Sequence, residues 1–178
     1  MPISNPSGGA SILKYQDGTV PVGNTIANQS GSDVAFTSSY TIAANTLIVG
    51  NVIRINLQGI YGTNIVAPTI TGKIKFGATT MVSTGAVSSI AGVTNGGWTG
   101  YADFIVTAIG AGGTVESQGF LEFSTAATTA LTVNLANTAA IALDTTAEKI
   151  ITVTVNWGTS NAANTITLRT MTVEILKT

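Results

Sequence analysis

Glu116 and Glu122 are the carboxylates whose spacing first suggests chemistry, because two acids flanking a scissile bond are what glycoside hydrolysis requires. Both fall on one face of a period-two run, so at ~3.3 Å per residue their backbones stand about 20 Å apart. That is too far for an acid–base pair. A solvated sheet face is expected instead, with Asp103 of the neighbouring strand pairing across to Lys73 or Lys75. Gly110-Ala111-Gly112-Gly113-Thr114 has the glycines of a phosphate-cradling loop, but no helix pattern and no Lys-Ser/Thr pair follows it. It reads as a hairpin connection needing positive φ. Serine and threonine nucleophiles are abundant, yet the chain has no histidine to activate them, and a Ser–Lys arrangement through Lys73 or Lys149 has no local signature. Asp17, Asp33, Asp103 and Asp144 are scattered rather than spaced as in a calcium loop, and the absence of cysteine removes thiolate metal sites. No catalytic residue, metal ligand or cofactor is assigned. Trp98, in Asn95-Gly96-Gly97-Trp98-Thr99-Gly100, is carried as a partner-binding candidate: an exposed ring there would stack on a sugar or anchor a protein, and a buried one would close the end of a sandwich.

Composition narrows the classes further. At 178 residues one domain is expected. Seven basic and eight acidic residues, only 8% of the chain, leave a net charge of -1 and no basic surface for phosphates, so nucleic acid is not an expected partner. Mean hydropathy is +0.41, but no apolar run approaches the ~20 residues of a membrane-spanning helix. With aromatics at 6%, the repeated girdles of a membrane barrel are also missing. The beginning of the chain has neither a basic region nor an apolar stretch of a secretory signal, which points to synthesis in a cytoplasm. So few charges give weak colloidal protection, which implies life in an assembly.

The elements that must position these residues are strands. Ile53, Ile55 and Leu57 alternate with Arg54, Asn56 and Gln58. Ile70, Ile74 and Phe76 form a second apolar face, with Gly72 as a close-packing or bulge position. A short strand is expected around Thr79 to Ser83, followed by a long loop to Gly97. Tyr101 to Ile109, with little polar alternation, reads as a strand covered on both faces, hairpinned to Thr114–Ser124. Further strands follow at Leu131 to Leu135 and at Ile151 to Trp157, whose tryptophan is in phase with the core. In the last strand Ile166 and Leu168 are even-numbered whereas Met171, Val173 and Ile175 are odd, so a bulge near Thr170 is expected. About eight strands without heptads or repeats predict an all-β antiparallel β-sandwich of jelly-roll type over residues 24–178. Residues 1–23, rich in Pro, Ser and Gly, read as an extended N-terminal arm whose Ile12, Leu13 and Tyr15 would lie against a neighbouring subunit.

The segment from Tyr40 to Ile55, aromatic-Thr-Ile, a small turn, Asn-Thr-Leu, Gly-Asn, then Val-Ile-Arg-Ile, resembles the approach to the first long strand in jelly-roll virion proteins of tailed bacteriophages. Ile166 to Ile175 resembles the closing strand of the same group. The resemblance implies a capsid decoration (cement) protein on the virion surface, bound to the major capsid protein and trimeric around a three-fold axis. The alternative it implies is a tail-fibre or receptor-binding knob that touches a host glycan or protein. It carries no catalytic residue, and neither nucleic acid nor membrane is implied as a partner.

Overall fold

The computed structural model describes residues 24–125, 130–137 and 139–177. Among them are twelve strands: β1 (Thr25–Ala27), β2 (Val34–Ile42), β3 (Val52–Gly62), β4 (Thr69–Phe76), β5 (Thr79–Ser83), β6 (Val87–Ser88), β7 (Gly96–Ala108), β8 (Thr114–Ser124), β9 (Ala130–Asn134), β10 (Ile141–Ala142), β11 (Lys149–Trp157) and β12 (Thr165–Leu176). The first sheet runs β1-β12-β3-β7-β8-β10, with β9 also on β8, and the second runs β2-β11-β4-β5, with β6 also on β4. All strand pairings are antiparallel.

This order contains a jelly roll. Four antiparallel pairs nest inside one another along the chain: β1 with β12, β2 with β11, β3 with β7, and β4 with β5. The expected eight-strand roll is therefore present, and β8 to β10 widen its first sheet. Two roll strands, β1 and β2, had drawn no sequence assignment, whereas β8 and β9 were expected as strands and lie outside the nested set.

The core forms where the alternating faces of the two sheets meet. Ile53, Ile55 and Leu57 of β3 and Val115, Leu121 and Phe123 of β8 are buried from one side, and Ile70, Ile74 and Phe76 of β4 with Ile151, Val153, Val155 and Trp157 of β11 from the other. Phe76 meets Phe104 across the layer with ring centres 5.0 Å apart. Burial of each such side chain contributes ~1.5–3 kcal/mol, which makes these faces the main source of stability.

Several details follow the sequence and several correct it. The register of β12 on β3 shifts between Leu168 and Thr170, so the bulge lies at Arg169, where the apolar phase changes. Gly72 is neither a bulge nor a tight approach: β4 pairs with β11 without interruption there, and a Cβ would stand at ordinary contact distance, 3.4 Å, from Leu121. β7 is not covered on both faces. Trp98, Ala102, Phe104 and Val106 point into the core while Thr99, Ile105 and Thr107 face outward, because the side chains of one strand must alternate. Asp103 does not pair with Lys73 or Lys75, which belong to the other sheet. It pairs with Arg54 on adjacent β3, and Lys73 pairs with Asp33 at 2.8 Å. The arm, with Ile12, Leu13 and Tyr15, lies outside the described residues.

Candidate partner-binding surfaces

Trp98 is the first sequence candidate to place, and it is not in a loop. It lies in β7, 3% exposed, with its ring stacked on Phe36 of the opposite sheet at 6.3 Å and its indole N–H donated to the Thr167 carbonyl at 3.0 Å. No face of the ring is left for a sugar or a partner, so the exposed-anchor reading is corrected to a core position. The indole is a large apolar body whose single donor needs an acceptor when buried, and the Thr167 carbonyl supplies it.

Among the described residues two ion pairs form, Arg54 with Asp103 and Lys73 with Asp33. On the outer face of the first sheet, Arg54 holds both oxygens of Asp103 with two hydrogen bonds of 2.9 and 2.8 Å, and the Tyr101 hydroxyl donates to the same carboxylate. The Arg54 guanidinium also lies 5.4 Å from the Tyr101 ring centre. Burial would raise the Asp103 carboxyl, but the hydrogen bonds from Arg54 and Tyr101 and the Arg54 charge outweigh it and hold the group below the ordinary carboxylate range. Burial, joined by the hydrogen bond to Asp103, pushes the Tyr101 hydroxyl up. Asp144 accepts from the Thr146 hydroxyl and backbone N–H, which lower its carboxyl and fix a turn. Glu116 and Glu122 sit on β8 opposite Ile105 and Thr99 respectively, so the long spacing between them stands. Among the described residues no group of three or more His, Cys, Asp or Glu side chains gathers where it could hold a metal ion.

What remains is apolar surface, and it concentrates where β2 turns into β3. Three connections meet at that end, residues 43–51, 109–113 and 143–148, and Thr145 ties them together. Its carbonyl accepts from the Asn45 N–H at 2.8 Å, its hydroxyl from the Gly110 N–H at 2.8 Å, and its own N–H donates to the Gly110 carbonyl at 3.0 Å. Gly110, at φ +103, adopts the left-handed conformation foreseen for this hairpin. A second clamp joins the connection to β7: Gly50 N–H donates to the Val106 carbonyl and Val106 N–H to the Asn51 carbonyl, each at 2.9 Å. Buried Asn51 also accepts from the Ile48 N–H through its side-chain oxygen.

Held on this framework, Ile48, Val49 and Ile109 are 49%, 55% and 51% exposed. Ile105 is exposed on adjoining β7, in register with Val52, which is itself in register with Leu176 of β12. The apolar end thus continues onto the outer face of the first sheet. At the opposite end the β3–β4 connection exposes Ile65 by 85%, together with Val66, on a loop fixed by the Asn64 N–H donated to Asn164. None of these residues was singled out from the sequence. The available signal was an aliphatic pair, Ile48-Val49, inside a turn whose neighbours Asn45, Gly50 and Asn51 forbid a strand there.

No family model and no curated protein matches the chain. Among solved structures it is similar to a chain in a structure of infectious bursal disease virus Gt strain, at 10% identity and a TM-score of 0.42, over 96% of this chain and 34% of that one. The chain spans about a third of the length of that protein.

Proposed function

We propose that this chain is a virion structural protein without catalytic activity, a capsid decoration protein that docks on assembled major-capsid subunits and stabilises the shell. The observation that carries the reading is the end bearing Ile48, Val49 and Ile109. Its aliphatic side chains are half-exposed although the loops beneath them are fixed by hydrogen bonds through Thr145 and Asn51. Exposed aliphatics on a pre-ordered framework are suited to association, because little conformational entropy is lost when they are covered. The carboxylates of Asp103 and Asp33 are occupied by Arg54 and Lys73, which supports a binding role over an acid–base one. A protein of this kind stabilises a shell by binding the assembled lattice more tightly than free subunits. In this reading it acts as a homotrimer, so each assembly presents three such ends.

A second reading, a tail-fibre or receptor-binding knob, draws on Ile65 and Val66 at the opposite end, where two exposed aliphatics crown a short fixed loop. Copy number in purified particles separates the two. Hundreds of copies in fixed ratio to the shell subunit are expected for decoration, whereas a few copies per particle would replace it with the knob. Absence from particles would overturn both.

A further inference from the structure

On the outer face of the first sheet the register sets Asn56, Tyr101, Phe120 and Asn134 side by side across β3, β7, β8 and β9. The Tyr101 and Phe120 rings are near-parallel, 28° between planes and 6.0 Å between centres, and Phe120 is 39% exposed. Tyr101 is held in place, its hydroxyl donated to Asp103 and the Arg54 guanidinium 5.4 Å from its ring centre. The aromatic pair is thus ordered in advance of any ligand, which lowers the entropy lost on binding.

A hollow opens on each side of the pair. One, of 260 Å³, lies toward Gln58 and Thr99, and the other, of 480 Å³, lies toward Gln118 and Asn134. Their volumes are on the scale of the ~300–1,000 Å³ of small-ligand sites. No charged residue lines either hollow, and the adjoining Arg54 and Asp103 neutralise each other. The side-chain amides of Asn56, Gln58 and Gln118 take no hydrogen bond among the described residues. Adjacent strands lie ~4.8 Å apart and alternate residues of one strand ~6.6 Å, so these amides border the rings at about the spacing of a pyranose.

We propose that this face binds a neutral glycan, with sugar rings laid against Phe120 and Tyr101 and their hydroxyls met by Asn56, Gln58 and Gln118. The chemistry of the face selects this ligand. The C–H face of a pyranose is apolar and suits the electron-rich face of an aromatic ring. Each hydroxyl both donates and accepts, as does each side-chain amide. An ionic ligand would find no counter-charge in the hollows, and an apolar protein surface would cover the three amides without satisfying them. The inference goes beyond the decoration reading and does not rest on it.

The test is retention of the full chain on an immobilised panel of neutral oligosaccharides of glucose, galactose, mannose and N-acetylhexosamines, with sialylated and sulfated oligosaccharides as the contrast. Binding to at least one neutral member is expected, weakened about tenfold or more by Phe120→Ala and by Gln58→Ala/Gln118→Ala. Silence across the neutral members overturns the proposal, as does binding that survives both variants or is confined to the acidic members. Melting temperature is read for each variant. If Phe120→Ala fails to fold, the double variant decides, because Gln58 and Gln118 are exposed. The assay contains no shells, so its failure and the failure of the decoration reading are separate results.

Discussion

The Trp98 indole reaches the Thr167 carbonyl by passing over β3 at the point where β3 has Gly59. A Cβ on Gly59 would lie 1.9 Å from that carbonyl oxygen and 2.5 Å from the indole nitrogen, so the ring, the glycine and the bulge at Arg169 form one packing unit. Gly59→Ala is therefore expected to destabilise the fold by ~2–4 kcal/mol through strain against backbone, the more so because the obstructing atom cannot rotate away. Urea unfolding would measure it. An unchanged midpoint would show that β12 can shift and that the unit is not rigid.

Trp98→Phe tests the polar half of the same contact. The ring would retain its place against Phe36, but the Thr167 carbonyl would lose the 3.0 Å donor. A loss of ~1–3 kcal/mol is expected, as for other buried groups left unsatisfied. Thermal unfolding of the two variants singly and together should reveal non-additivity, since both act on Thr167.

These residues also explain what was and was not legible beforehand. Period-two alternation exposed β3, β4, β8, β11 and β12, and the change of phase between Leu168 and Met171 located a bulge, because a sheet face leaves a direct imprint on side-chain order. Trp98 was misplaced for a physical reason: its flanking glycines resemble turn residues. Two of them are packing residues here, since a Cβ on Gly96 would stand 2.5 Å from Val93 and 2.7 Å from Tyr61 and one on Gly100 3.2 Å from Leu121, while Gly97 faces open space in the strand. β2 escaped notice because buried Ser38 interrupts its apolar face, and the Asn24 side chain that satisfies Ser38 is fourteen residues away. Long-range satisfaction of that kind has no local pattern. The same holds for Thr145, whose sequence suggests only a turn while its hydroxyl and backbone join three connections.

Thr145→Val should loosen the end that it ties. The substitution conserves shape and removes the acceptor of the Gly110 N–H, leaving a part-buried donor unpaired. A global loss of ~1–2 kcal/mol is expected. Amide exchange should accelerate in residues 109–113 before the strands are affected, and uniform acceleration across β3 and β11 would contradict a local role.

Acid should weaken the fold through Asp103. Its folded-state carboxyl is held below the ordinary value of 3.8, so its contribution is fully present above that value and disappears as pH falls through the lower folded-state one. The melting temperature is expected to be insensitive to this group from neutrality to about pH 4 and to fall below it. Asp103→Asn should lower stability at pH 7 by about 1 kcal/mol, the scale of a partly exposed but bidentate pair, and should flatten the acid limb. Some acid dependence will persist, since Asp144 is shifted in the same direction. An acid limb of unchanged steepness in the Asp103→Asn protein would assign the sensitivity elsewhere.

The docking end can be tested without disturbing the core. Ile48 and Val49 have about half of their surfaces in solvent, so Ile48→Ser/Val49→Ser removes little that folding buries and should change the melting temperature by no more than a few degrees. Binding is another matter. Covering two aliphatic side chains yields ~1.5–3 kcal/mol each at full burial, so losing both should weaken capsid occupancy by about tenfold or more, read by sedimentation of the protein with purified shells. Ile65→Ser/Val66→Ser serves as the contrast, because it removes a comparable exposed pair from the far end. If the shell is met through the Ile48 end, only the first variant loses occupancy. If the second loses it instead, the particle is gripped through the β3–β4 connection, and the face assigned here to docking points away from the shell.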